Sequence, residues 1–136
     1  MNAAEREDLI DQYEDGFAAV SAALEAITDA ELEAREAPGE WSPREIVHHL
    51  ADSEMTSALR LRLLIAQDAP TLLGYDQEAF VGDLYPDRPI APSLAAFEAA
   101  RTKAFAEADA DGNGALSSDE FEAFHEAMRR ALAASH

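Results

Sequence analysis

The sequence predicts an all-α protein folded as a four-helix bundle. Three observations carry that expectation. Apolar residues recur at three- and four-residue steps over long stretches, which is one face of the roughly 3.6-residue helical period. No run alternates with period two over a useful length. Ser42-Pro43-Arg44-Glu45 spells a helix start in three independent ways: an N-cap serine, a proline at the first helical position and a capping-box glutamate. With 136 residues, 48% of them apolar, the chain is long enough to bury one core, so residues 1–136 are expected to form a single domain.

Each element follows from the residues. The first helix is expected over 3–27, where Leu9, Ile10, Tyr13, Phe17, Val20, Leu24 and Ile27 share one face. The second is expected over 43–67, with Ile46, Val47, Leu50, Ala58, Leu61 and Ile65 inward and Trp41 and Ile46 placed as a hydrophobic staple. Residues 68–92 form a long connector punctuated by Pro70, Pro86, Pro89 and Pro92, in which Asp76 caps a short helix through Leu84 that buries Phe80, Val81 and Leu84. Such a connector can travel back along the bundle, so that the helices it joins run parallel. The third helix begins near Pro92 and Ser93, with Leu94, Phe97, Ala100, Ala104 and Ala108. The fourth begins near Ser118, with Phe121, Phe124, Met128, Ala131 and Leu132 on one stripe.

Charge and composition exclude whole classes. A formal net charge of −18 repels nucleic acid and anionic membranes and attracts cations. No apolar run approaches the roughly 18–20 residues of a membrane span, and the acidic start lacks the pattern of a signal peptide. The expected location is therefore the cytoplasm, with no nucleic-acid or membrane partner. Without cysteine, disulfides, thiolate metal sites and a cysteine nucleophile are all ruled out. A homodimer is compatible with the sequence, which points to no particular protein partner. Only Met1, Met55 and Met128 are available for a methionine-rich docking groove, which disfavours a calmodulin-like surface.

Residues 109–120 fit the pattern of an EF-hand calcium loop. Asp109, Asp111 and Asn113 stand first, third and fifth, the Ala115 carbonyl seventh, Ser117 ninth and Glu120 twelfth, an oxygen set suited to Ca2+. Gly114 occupies the sixth place, where the chain turns sharply. The EF-hand unit is expected over 94–132, with calcium as structural stabiliser, buffer or switch.

A second pattern lies upstream. Gly39-Glu40-Trp41-Ser42-Pro43-Arg44-Glu45-Ile46-Val47-His48-His49-Leu50-Ala51-Asp52-Ser53-Glu54 continues through Arg60-Leu61-Arg62, Gly74-Tyr75-Asp76, Tyr85, Arg88-Pro89 and Ser93-Leu94 to Phe97 and Arg101. With the first helix in front, residues 1–101 resemble the DinB-like (damage-inducible) four-helix-bundle superfamily. The resemblance implies a long crossover between the second and third helices. It also implies metal-dependent chemistry in many relatives, and thiol-dependent transfer in some. The metal site it implies has three histidines, one near the start of the second helix and an H-x-x-x-H pair in the last. His49 matches the first. His125 matches one of the pair, but Arg129 stands four residues later and His136 ends the chain.

Local pairs at one-turn spacing, Glu45 with His49 and His48 with Asp52, could serve as acid–base partners or as ordinary surface pairs. The leading expectation is thus a calcium-binding protein with one EF-hand on a DinB-like bundle, without catalytic residues. The alternative is a DinB-like metal-dependent hydrolase or thiol transferase with a degenerate histidine site.

Overall fold

The structure is a computed structural model that describes residues 2–84, 87–108, 111–113, 117, 119, 123 and 126. Its elements are α1 (Ala3–Ala23), α2 (Asp29–Leu32), α3 (Pro43–Ala66), α4 (Gln77–Leu84) and α5 (Ala91–Ala108), with no strand among the described residues. The fourth helix expected from residue 118 lies outside the elements described. No helix among the described residues is long and apolar enough to cross a membrane.

Capping chemistry sets the boundaries. The Asn2 side chain accepts from the Glu5 amide and the Glu5 carboxylate answers at the Asn2 amide, which closes a box at the start of α1. The first helix was expected to reach residue 27 but ends at Ala23. Ala26 adopts a left-handed φ of 61°, and Thr28 with Glu31 forms a second capping box that opens α2. Ser42, only 1% exposed, caps α3 in the same way through Glu45, with Pro43 at the first position as anticipated. Asp76 accepts from the Ala79 amide at 3.1 Å and so starts α4. Val81 of α4 is buried, but Leu84 stays 42% exposed, contrary to expectation.

α3 is the central element. Val47, Ala51, Ala58 and Leu61 are buried on one face, and α5 packs against it. His48 meets Ser93 near the start of both helices, while Ala100 packs on Ala58 and Leu61 further along. The two helices therefore run parallel, and the connector must return the whole length of α3, about 36 Å for 24 residues. Its path is visible in three contacts. Arg60 donates to the Leu73 carbonyl at 2.8 Å, the Trp41 indole donates to Glu78 at 3.1 Å, and the Arg88 carbonyl accepts from Arg44 at 2.6 Å. Leu72, 1% exposed, anchors this return; no periodic pattern had marked it.

α1 runs antiparallel to α5 and docks through large side chains. The Phe17 and Phe97 rings lie 5.6 Å apart at 59°, and the Arg101 guanidinium sits over the Tyr13 ring at 4.5 Å. Tyr13 donates to Glu54 at 3.2 Å, which ties α1 to α3. Burial raises both the Tyr13 hydroxyl and the Glu54 carboxyl above their ordinary ranges.

Candidate functional site

The capped start of α3 gathers the polar groups of interest. His48 is 1% exposed. Its Nδ1 lies 2.7 Å from Ser93 Oγ and its Nε2 3.3 Å from the Arg88 carbonyl. Burial pushes the His48 pKa down, with Arg44 and Arg88 adding to that effect and the Arg88 carbonyl and Asp52 opposing it. The imidazole is therefore neutral at pH 7. A carbonyl only accepts, so Nε2 carries the hydrogen and Nδ1 accepts from the Ser93 hydroxyl. Both ring nitrogens are committed to holding the crossover and α5 in place.

His49, one residue on, turns to another side of the helix. Its ring lies 4.7 Å from the Trp41 ring at 56°, and its Nδ1 is buried without a hydrogen-bond partner. Leaving such an atom unmet costs about 1–3 kcal/mol. The proposed pairing of Glu45 with His49 does not form. Arg35 takes the Glu45 carboxylate instead at 2.7 Å, and the Ser42 amide donates to it at 2.7 Å. The Arg35 bond is the main cause that lowers the Glu45 pKa. His48 is seated on Ser93 and Arg88, and Asp52, its partner candidate one turn on, acts on it electrostatically.

Trp41 joins His49 to an open cleft of ≈ 670 Å³ lined by Ala34, Arg35, Glu36, Gly39, Glu40, Trp41, Pro43, Ile46 and Glu78. Gly39 has φ +88°, a conformation that side chains strain to adopt, and it allows the chain to turn into α3 at the cleft wall. The expected staple is looser than anticipated: Ile46 is 43% exposed and lines the cleft with Trp41.

The proposed calcium ligands fare differently. Asp109, Ala115 and Glu120 lie outside the described residues, as do Gly114, His125, Arg129 and His136. Asp111, Asn113 and Ser117 are exposed. Asp111 accepts from the Asn113 amide at 3.1 Å and from its side-chain nitrogen at 2.8 Å, so its two oxygens close a local turn. Among the described residues no group of three or more histidine, aspartate or glutamate side chains could hold a metal ion.

Comparison with known proteins places this geometry. A family profile of the DinB superfamily matches residues 12–135, and the chain belongs to that superfamily. Among individual proteins, YfiT of Bacillus subtilis, named as a candidate metal-dependent hydrolase, is 34% identical over 76 residues, covering 56% of this chain and 43% of YfiT. A protein of Oceanobacillus iheyensis with the same designation is 35% identical over 74 residues, covering 54% of this chain and 42% of its own. The chain spans about half the length of the curated relatives it matches. The solved structure of YfiT, described as having an unusual four-helix-bundle topology, superposes with a TM-score of 0.66 at 28% identity. It covers 76% of this chain and 60% of YfiT.

These findings overturn the calcium-binding reading. The superfamily match extends to residue 135, across the stretch where an EF-hand over 94–132 was expected. The relatives are named as candidate metal-dependent hydrolases. The alternative reading fits these relatives better.

Proposed function

We propose that this chain is a metal-dependent hydrolase of the DinB type, with the His49 imidazole as the metal ligand from α3. The observation that carries the proposal is the buried, unpartnered Nδ1 of His49, whose ring packs on Trp41, a residue of the cleft wall. The fit is partial. Of the two adjacent histidines only His49 has a ring nitrogen to give, because His48 is committed to Ser93 and Arg88. A transition-metal centre takes three or four protein ligands; for the rest the sequence offers His125 and its neighbouring carboxylates Glu122 and Glu126.

When bound, a divalent metal supplies Lewis acidity to a carbonyl or phosphoryl oxygen. The chain's own residues do the positioning. Trp41 packs on the His49 ring and restricts its rotation, Glu78 fixes the indole, and Pro43 and Ile46 present an apolar wall to the bound molecule.

Calorimetric titration of metal-free protein with zinc, nickel and manganese tests this reading. At least one of these ions is expected to bind at a single site, with affinity falling about tenfold or more in His49→Ala as one ligand of a small set is lost. Unchanged affinity in that variant, with its helical content intact, removes His49 from the metal site and the proposal with it.

A further inference from the structure

We propose that the cleft beside Trp41 selects an organic cation: a primary amine carried on an apolar body. The inference deepens the hydrolase reading by naming its substrate class, and it rests on that reading only for calling the amine a substrate. The ligand class itself comes from the cleft.

Three carboxylates, Glu36, Glu40 and Glu78, line the cleft, against a single cation, Arg35. That cation is already matched. Its guanidinium grips the Glu45 carboxylate with two nitrogens at 2.7 Å, and Nη1 also donates to the Glu40 carbonyl. The other arginine at the start of α3 is engaged as well, with Arg44 on Glu33 and on the Arg88 carbonyl. The charge left facing the cleft is therefore negative. Such a lining repels a ligand carboxylate or phosphate and favours an ammonium group, with Glu36 and Glu40 the carboxylates of the lining that the Trp41 indole does not bond.

The remaining wall is apolar, built from Ala34, Pro43, Ile46 and the Trp41 ring. Ile46 is 43% exposed. Trp41 is held in place by its bond to Glu78 and by the His49 ring. A fixed indole with carboxylates at its margin is suited to a cation with an attached hydrocarbon, because the ring face attracts the charge and the apolar wall takes the body. The net charge of −18 extends the same preference to long range by drawing cations toward the molecule.

Trp41 is the sole tryptophan, so its emission reports on the cleft directly. Metal-free protein in chelator is titrated with phenethylamine, with its neutral analogue 2-phenylethanol and with its acidic analogue 3-phenylpropionate. Phenethylamine is expected to change the emission saturably, with half-saturation about tenfold or more below either analogue, and to weaken as salt rises. The double variant Glu36→Gln/Glu40→Gln is expected to lose several-fold in phenethylamine affinity while its response to 2-phenylethanol stays unchanged. Both residues are exposed, so the fold is expected to tolerate the change. Equal binding of the acid or the alcohol, or no saturable response to the amine, overturns the assignment. Because the titration needs no metal, amine selectivity without metal binding sinks the hydrolase reading alone. Metal binding without amine selectivity sinks the cleft assignment alone.

Discussion

Replacing His48 by leucine tests the central seat of the fold through its pH dependence. The folded imidazole has a lowered pKa, chiefly through burial, while the unfolded side chain titrates near about 6.5. Between those two values the unfolded chain holds a proton that the native chain does not. Stability therefore rises with pH across that window and is lost as pH falls through it. The ceiling is about 1.4 kcal/mol per pH unit below 6.5. The Arg88 carbonyl and Asp52 favour the charged form and hold the slope under that ceiling. The assay is urea unfolding of the parent and His48→Leu at pH 7.5 and 5.5. Glu54, whose pKa is raised by burial, acts on stability in the opposite sense, but it is present in both proteins and cancels in the difference. At pH 7.5 the variant is expected to be less stable by about 1–3 kcal/mol, because the Ser93 hydroxyl and the Arg88 carbonyl each lose a partner. On acidification the parent should lose more than the variant, so the gap between them narrows. Parallel losses in the two proteins would refute the neutral, buried assignment.

Two further variants test the framework. Ser42→Ala removes the oxygen that accepts the Glu45 amide and is expected to cost about 1 kcal/mol; an unchanged thermal midpoint would show that the box contributes nothing to α3. Phe97→Ala empties the space between α1 and α5 and is expected to cost about 3–5 kcal/mol. A loss under about 1 kcal/mol by urea unfolding would mean that α1 is not docked on α5 through this ring.

The sequence was most informative where structure is decided locally. Ser42, Pro43 and Glu45 marked the start of α3 because a capping box uses neighbours three residues apart. Asp76 marked α4 for a similar reason. The same logic was available and missed at Thr28-Asp29-Ala30-Glu31, a capping box hidden because the apolar stripe of the first helix runs up to it at Ile27. Burial in the connector was harder to read. Leu72 sits in a stretch without periodicity, and an eight-residue helix such as α4 buries Val81 while leaving Leu84 out. The site was legible in its residue types only. His48 and Ser93 are 45 residues apart, and no local pattern says that they meet. The adjacent His48 and His49 look alike in sequence, and only their surroundings separate a structural imidazole from an available one.

The parallel arrangement of α3 and α5 has a consequence for how the chain assembles. Trp41 waits for Glu78, 37 residues later, and His48 for Arg88 and Ser93, 40 and 45 residues later. Closing a loop of forty residues in place of a four-residue hairpin link adds about three doublings of length, or about 2 kcal/mol of entropy. These contacts therefore form late, and the bundle should fold more slowly than one joined by short turns. During synthesis at roughly 5–20 residues per second, the partners of His48 emerge about 2–9 s after it does. Through that interval the buried face of α3, with Val47, Ala51 and Leu61, has no α5 to cover it. The dense negative charge of the chain then acts before there is any fold to serve, by keeping nascent chains apart while the apolar stripe waits for its neighbour.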